Sequence, residues 1–301
     1  MQLPYANANF TFASSAMGWA YFNYTSSIEK ETPQVFETFD GGASWQPAGI
    51  EIPAEAQAGT QDFLVWNVAW NGAQWEMFTT ARKNIGYPNF PSYAFLLGPQ
   101  GTTWRLHIPE WALPPGTSQV AFTNYVENYM YPVLEYDANQ GLTDANAITW
   151  AIFDAADWHY RTTGEDLTGK TIPYALVNTM AEYEYGISNF DASLHAEAVT
   201  ASGYGLAKAE GGFYYDGHWP KNEGITVSIL QTAVLSDGTI EAFLEYSYFD
   251  SRSMGVDEFD EAYIPPTAKY VRCILKPANA EGVPFFSLLF AEEIAKPGFA
   301  A

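Results

Sequence analysis

The segment Thr38–Trp45 constrains the fold more than any other part of this sequence, because an acid, two glycines and a tryptophan follow one another within eight residues. The side chain of Asp40 can accept hydrogen bonds from backbone N–H groups across the turn, which favours a turn at this position. Gly41 and Gly42 can adopt the backbone angles of a tight turn without steric cost. Trp45 then brings back a large apolar side chain, which is expected to be buried as an anchor between sheets. The segment therefore predicts a tight turn between two antiparallel strands.

Short runs of alternating apolar and polar residues, joined by turn residues, recur along the chain. The strongest hairpin signal is Asn71-Gly72, because Asn-Gly accepts the positive φ angles of a type I′ turn. Ser236–Gly238 repeats the arrangement between two longer runs. Further hairpin turns are predicted at Gly18, Gly203 and Gly282. No amphipathic helix is predicted, and Tyr174–Ile187 is assigned to a strand.

The hairpins suggest a diverged internal repeat. Turns near Gly18, Gly72 and Glu127 lie about 54 residues apart, a period that suits four strands and their connections. Two further tryptophan-bearing segments follow the first. Leu97–Trp104 keeps Gly-Thr-Thr-Trp but has proline in place of the acid, and Thr143–Trp150 keeps little more than Thr-Trp.

The first of these segments resembles the Asp-box of sialidases and of other β-propellers of the same repeat class, which include photosystem assembly factors and phage proteins. The resemblance implies an all-β fold, a β-propeller of about five or six irregular four-stranded blades, built as one domain over residues 1–301. In that family the box lies between the third and fourth strands of a blade, away from the ligand-binding face. The box residues are therefore predicted to be structural: Thr38, Asp40, Gly41, Gly42, Ser44 and Trp45.

The resemblance does not extend to sialidase chemistry. That chemistry requires three arginines, a Tyr-Glu nucleophile pair and an acid/base aspartate. The chain has five arginines, and residues 1–81 contain none, so the family's first arginine has no counterpart ahead of the box. No catalytic residue is predicted.

Other chemistries have no local signature. A glycoside hydrolase needs only two carboxyl groups across a cleft, and with 35 acidic residues that alternative stays open. No G-x-S-x-G motif of a serine hydrolase is present. The histidines lack metal-ligand spacing, and the acidic run Asp257–Glu261 lacks the glycine and oxygen spacing of a calcium loop. No metal or cofactor is therefore predicted.

Charge and composition exclude several partners. The chain has 13 basic and 35 acidic residues and a net charge of −22. Neither the phosphate backbone of a nucleic acid nor an acidic membrane surface is therefore an expected partner. No segment is long and apolar enough to span a bilayer, and the start, Met1–Ala6, does not read as a signal peptide. Cys273 is the only cysteine, which excludes an internal disulfide, and its strand-like surroundings predict a buried structural thiol.

These observations favour a non-catalytic structural or binding propeller. Among such proteins, a bacteriophage virion component (tail, fibre or capsid appendage) made in the host cytoplasm is the preferred hypothesis, because phage structural proteins often contain diverged Asp-box blades. Exposed tyrosine and tryptophan would contact other proteins of an assembly or glycans. A homo-oligomer is left open, as are two other functions: a glycan-active enzyme using paired carboxylates, and an assembly factor similar to the photosystem propellers.

Overall fold

The computed structural model describes residues 8–22, 33–57, 60–83, 92–98, 103–201, 205–216, 225–248, 267–280 and 283–298. Strands make up 44% and helices 23% of the described residues, so the fold is mostly β and not all-β. No propeller or closed barrel is found among them. The chain divides into two compact units, Met1–Glu110 and Trp111–Ala301, and the single domain over 1–301 stays a prediction.

The N-terminal unit begins with a four-stranded antiparallel sheet. Its strands are β1 (Asn9–Phe12), β2 (Gly18–Tyr21), β3 (Val35–Thr38) and β4 (Gln46–Pro47). They pair in chain order, as a meander. The hairpin predicted at Gly18 is confirmed by the β1–β2 pairing. The tight turn predicted over Thr38–Trp45 is confirmed as well, because it joins the antiparallel strands β3 and β4.

The second sheet of this unit has five strands. Its elements are β5 (Gly49–Glu51), the short helix α1 (Ala54–Gln57), β6 (Thr60–Trp70), β7 (Trp75–Lys83), β8 (Ser92–Leu97) and β9 (Thr103–Leu106). Strands β6 to β9 form an antiparallel meander, and β5 pairs with β9 in parallel. The Asn71-Gly72 turn joins β6 to β7 with Gly72 at φ 99°, so the predicted hairpin is confirmed.

Tryptophans join the two sheets of the N-terminal unit. The Trp19 ring of β2 is fully buried, and its centroid lies 4.8 Å from that of Trp75 on β7 and 5.5 Å from that of Trp104 on β9. Edge and tilted contacts of this kind suit the ring quadrupole. The tryptophan of the second box-like segment is therefore a core residue of this unit.

The C-terminal unit combines helices with antiparallel sheet. In chain order its elements are α2 (Gln119–Asn128), β10 (Tyr136–Asp137), α3 (Ala145–Thr163), β11 (Thr171–Pro173), α4 (Tyr174–Tyr185), a 3-10 helix (Ala192–His195), α5 (Ala196–Ala201), β12 (Leu206–Ala209), β13 (Gly212–Tyr215), β14 (Ile225–Val234), β15 (Ile240–Tyr248), β16 (Thr267–Ala280) and β17 (Val283–Ile294). The larger sheet has the order β10-β17-β16-β15-β14, and the smaller one β11-β13-β12.

Alternation along the long strands separates a core face from a polar face. On β16, Val271, Cys273 and Leu275 are buried, whereas Arg272 is half-buried and pairs with Glu241. The buried thiol predicted for Cys273 is thus confirmed. Helices α2 and α4 pack on strands of this sheet, and α3 packs on α4. Helices gathered beside an antiparallel sheet are an α+β arrangement.

Four predictions made for this unit are wrong. Tyr174–Ile187 contains the helix α4 and is not a strand. Thr143–Trp150 is not a box turn, because it contains the first turns of α3. The side chain of Asp144 caps that helix by accepting hydrogen bonds from the N–H groups of Asn146 and Ala147. Glu127 lies within α2, so it belongs to no hairpin turn. The segment ahead of the turn predicted at Gly203, Ala196–Ala201, is helical and is not a hairpin strand. Gly203 and Gly282 themselves lie outside the described residues.

The physical reason is the apolar spacing within these segments. On α3 the buried residues recur every three or four positions, as Ile148, Ala151, Ile152 and Ala155 show, which is the period of a helix face. Alanine and aromatic residues interleave there, and the aromatic content suggested strands. The repeat therefore does not continue past residue 110 in the predicted register.

Candidate functional site

The six predicted box residues lie together in one turn. Thr38 Oγ1 donates to Asp40 Oδ1 at 2.8 Å and accepts from the N–H of Gly42 at 2.9 Å. The other end of the turn is held by Ser44, whose N–H donates to Asp40 Oδ1 at 2.8 Å and whose hydroxyl donates to Oδ2 at 2.6 Å. Both oxygens of Asp40 therefore accept bonds from within the turn.

These hydrogen bonds fix the charge of Asp40. The Ser44 hydroxyl and N–H, followed by Thr38, lower the pKa of the Asp40 carboxyl from 3.8 to about 2. A carboxylate that accepts several hydrogen bonds is stabilised in its charged form. Asp40 therefore acts as a structural acceptor, as its place in the turn predicted.

The turn also docks onto its own sheet. Gly41, at φ 72°, donates its N–H to the carbonyl of Ala16 at 2.8 Å, and a Cβ there would lie only 2.7 Å from the carbonyl oxygen of Ser15. Trp45 is half-buried, with its ring centroid 5.6 Å from that of Phe10 and 6.2 Å from that of Phe12. Trp45 therefore packs on its own sheet, through β1, whereas the sequence predicted a buried anchor between sheets.

Large aromatic side chains are exposed on the second sheet of the N-terminal unit. Trp66 and Phe78 are 47% and 42% exposed. Phe78 and Thr80 lie on the same side of β7, since they are two residues apart. Trp66 lies on that side as well, as shown by the hydrogen bond that its Nε1 donates to Thr80 Oγ1 at 2.8 Å. We call this surface, formed by Trp66, Phe78 and Thr80, the aromatic face.

Strand pairing gives the neighbours of the aromatic face. Asn67 and Ala94 pair with Phe78 from the two flanking strands, and Leu64 and Ser92 pair with Thr80 in the same way. Asn67 is exposed and the other three are half-buried. The face thus combines two projecting rings with short or polar neighbours.

A second group of interest is a pair of carboxyl groups in the C-terminal unit. Asp154 of α3 is half-buried, Glu184 of α4 is buried, and the two side chains share a hydrogen bond. Removal from water raises the pKa of Asp154 to about 7, and burial together with the Asp154 charge raises the pKa of Glu184 well above its usual range. Both shifts favour the protonated forms of these carboxyl groups, and a protonated carboxyl can donate the hydrogen bond that the two side chains share.

The surroundings of the pair are apolar or phenolic. Burial, with the nearby carboxylates, raises the pKa of Tyr125 and Tyr185, so both phenols stay un-ionised. One turn along α3 from Asp154, Asp157 forms an ion pair with Arg161. Asp157 also lines a cleft of about 250 Å³ together with Tyr160, Asp166, Thr168 and Tyr215. A perturbed carboxyl beside a cleft is a feature of many active sites, although structural pairs show it as well.

The geometry of the pair distinguishes these two roles. Glycoside hydrolases hold their two carboxyls roughly 5 to 9.5 Å apart, with the sugar bond between them. Asp154 and Glu184 bond directly to each other, which leaves no room for a substrate atom. The pair is therefore suited to joining α3 to α4.

The arginines and histidines considered in the sequence analysis do not form one cluster among the described residues. Each described arginine has a carboxylate partner: Arg82 pairs with Asp62, Arg105 with Glu51, Arg161 with Asp157, and Arg272 with Glu241 and Glu292. Of the histidines, His159 contacts Glu165 at 3.3 Å and His195 stacks on Phe190. Arg252, His218 and the acidic run Asp257–Glu261 lie outside the described residues.

Neither the aromatic face nor the carboxyl pair was predicted from the sequence. Apolar and polar residues alternate in Val68–Phe78, but this pattern does not indicate which aromatic side chains stay exposed. Asp154 and Glu184 are 30 positions apart, and only the packing of α3 on α4 brings them together. An acid within an apolar helix face was the one local signal for the pair.

Within the described ranges, no group of three or more His, Cys, Asp or Glu side chains is arranged to hold a metal ion. Among the helices of that part of the chain, none has both the length and the apolar character needed to cross a membrane. Comparison with known proteins finds no family model, no curated protein and no solved structure that matches this chain.

Proposed function

We propose that this chain is a non-catalytic structural and binding protein. The observation that carries the proposal is the aromatic face, where Trp66 and Phe78 are exposed on paired strands. Aromatic side chains supply large contact area at a small loss of conformational freedom, and they are enriched where proteins bind partners. Partners would be other proteins of an assembly, or glycans.

We further propose that the sheets of the N-terminal unit are blades of the propeller type. The support is the meander β1-β2-β3-β4 with the box between its third and fourth strands, which is the place the box has in the Asp-box repeat class. The second meander, β6 to β9, ends in the buried Trp104. The proposal concerns this unit only, since helices occupy the segments where the third set of turns was predicted.

Within this proposal, a bacteriophage virion component is the preferred assignment. The box resembles that of a repeat class to which phage proteins belong. The chain is also strongly acidic, and its one cysteine is buried in a strand. A structural part of a particle needs a stable fold and contact surfaces, which are what the box turn and the aromatic face would supply.

A binding assay combined with a turnover assay tests the non-catalytic proposal. The purified chain is incubated with panels of glycans and of particle proteins, and both retention and release of hydrolysis products are measured. We expect retention without product. Product release that is lost in Asp154→Asn or Glu184→Gln, but kept in the exposed control Glu210→Gln, would contradict the proposal and favour the glycan-active enzyme.

A further inference from the structure

A β-bulge in β6 places two successive residues, Trp66 and Asn67, on the exposed side of the sheet. In the β6–β7 ladder, Val65 pairs with Thr79 and Asn67 pairs with Phe78, so Trp66 is an extra residue without an opposite partner. A bulge of this kind breaks the simple alternation of a strand. Ordinary alternation from the buried Val65 puts Trp66 on the side of Phe78 and Thr80, and the bulge puts Asn67 on that side as well.

The Trp66 indole is held in place there. Its one polar atom, Nε1, donates to Thr80 Oγ1 across the strands at 2.8 Å. The ring is nevertheless 47% exposed. A ring already held in one orientation loses little entropy when a ligand stacks on it. With its N–H occupied, what the indole offers a ligand is its apolar π surface.

Phe78 provides a second ring beside the first. Its side chain is 42% exposed, and its partner on the next strand is the short Ala94. Ser92, opposite Thr80, is also small. Because Ala94 and Ser92 are short, the faces of the two rings are left open on this side of the sheet.

We propose that the aromatic face is a stacking site for an uncharged glycan. The C–H face of a pyranose ring is apolar and carries small positive partial charges, which complement the negative face of an aromatic ring. The exposed Asn67, the Thr80 hydroxyl and the nearby Glu76 carboxylate can exchange hydrogen bonds with sugar hydroxyls.

The charge of the protein selects among glycans. The net charge is −22, and the nearby cation Arg82 already pairs with Asp62. Such a chain repels sulfated, phosphorylated and sialylated chains, whereas an uncharged polysaccharide is unaffected. This inference rests on the proposed binding function and names the class of its partner.

The test is a titration of the whole chain with neutral oligosaccharides of glucose, mannose, galactose and N-acetylglucosamine, followed by calorimetry and by tryptophan fluorescence. We expect at least one to bind, and Trp66→Ala to weaken that binding about tenfold or more, which corresponds to about 1.4 kcal/mol. The matched control is Trp70→Ala. Trp70 is 55% exposed on the same strand, but it pairs with Trp75 on the opposite side of the sheet, so the affinity should stay within about twofold.

A second pair of variants tests the role of Thr80 as a positioning residue. Thr80→Val keeps the shape of the side chain but removes the hydroxyl that accepts the hydrogen bond of the Trp66 N–H. The affinity for the oligosaccharide should fall several-fold. The Trp66 ring should then adopt several orientations, which would broaden the tryptophan fluorescence spectrum. Thr80→Ser restores the acceptor and should restore the affinity. Circular dichroism and the melting temperature show that each variant is folded.

Three results would overturn the inference: no binding to any neutral oligosaccharide, equal binding by Trp66→Ala, or binding to anionic glycans alone. A Trp66-dependent self-association in ultracentrifugation, or a Trp66-dependent protein partner, would likewise assign the face to a different occupant. If the chain is present in purified particles but binds no glycan, this inference fails and the proposed function does not.

Discussion

At the scale of single residues, Asp40 shows how a short motif produces a rigid turn. Its carboxylate accepts from Ser44 and from Thr38, and all of these partners lie within the same eight-residue segment. Interactions this local are predictable from the sequence, because the chain cannot separate the partners. The turn was for this reason predicted correctly.

Asp40→Asn should destabilise the N-terminal unit, because an amide nitrogen cannot accept the hydrogen bonds that both carboxylate oxygens accept. The pH dependence has a definite sign. The pKa of Asp40 is about 2 in the folded chain against an ordinary value of 3.8. Its stabilising effect is therefore present above about pH 4 and is lost as the pH falls toward 2. Thermal melting at pH 7 and pH 2.5 should show the difference between variant and parent shrinking in acid.

The control for this measurement is Glu210→Gln, an exposed acid in the C-terminal unit. It should leave the melting curve of the parent unchanged at both values of pH. Equal melting temperatures for Asp40→Asn and the parent at pH 7 would show that the hydrogen bonds of the turn do not support the unit.

Two tryptophans at corresponding positions should differ in their contribution to stability. Trp104 is fully buried, so Trp104→Ala should lower the free energy of unfolding by about 3–5 kcal/mol, as for other core aromatics. Trp45 is half-buried, and Trp45→Ala should cost roughly half as much. Urea denaturation of the two variants measures both values. A larger loss for Trp45→Ala would mean that the box, and not the contact between the sheets, dominates the stability of this unit.

At the scale of elements, turns were predictable and helices were not. The Asn71-Gly72 and Ser236–Gly238 hairpins depend on residues that sit inside the turn itself. The helices α3 and α4 contain tryptophan, tyrosine and phenylalanine, which favour strands in isolation. Their packing against each other and against the sheet overrides that preference, and this packing involves residues far apart in the chain.

The carboxyl pair that joins α3 to α4 should make stability depend on pH. The pKa of Asp154 is raised to about 7 in the folded chain, above its ordinary value of 3.8. The folded chain therefore binds more protons than the unfolded chain between these values, and stability is lost as the pH rises from about 4 through 7. Asp154→Asn removes the titration of Asp154 and should make this slope less steep, while the buried Glu184 continues to contribute to it.

The slope is measured as the change in melting temperature between pH 4.5 and pH 7.5, with Glu210→Gln as the matched control for the loss of one negative charge. The groups near the pair are the phenols of Tyr125 and Tyr185, which stay neutral in this range, and the ion pair of Asp157 with Arg161. If Asp154→Asn and Glu210→Gln give the same slope, the raised pKa of Asp154 is not the cause of the pH dependence.

At the scale of the whole molecule, the strong negative charge and the mostly-β content were readable from composition. The division into two compact units was not predicted, although the stretch Pro114-Pro115-Gly116 lies just past the boundary at residue 110. The aromatic face was not readable either. The residues that flank Trp66 and Phe78 are set by strand register and by the bulge that brings Asn67 to the same side, and neither can be read from the local sequence.

We propose that the chain is a binding and structural component of a bacteriophage particle. The most direct measurement is quantitative mass spectrometry of phage particles from a host culture that produces this chain, purified through a density gradient and washed at high salt. We expect the chain to co-purify with the particles in a constant ratio to the capsid protein, at a copy number that fits the symmetry of the particle. Recovery of the chain only in the soluble fraction of the lysed host, with none in washed particles, would contradict the proposal.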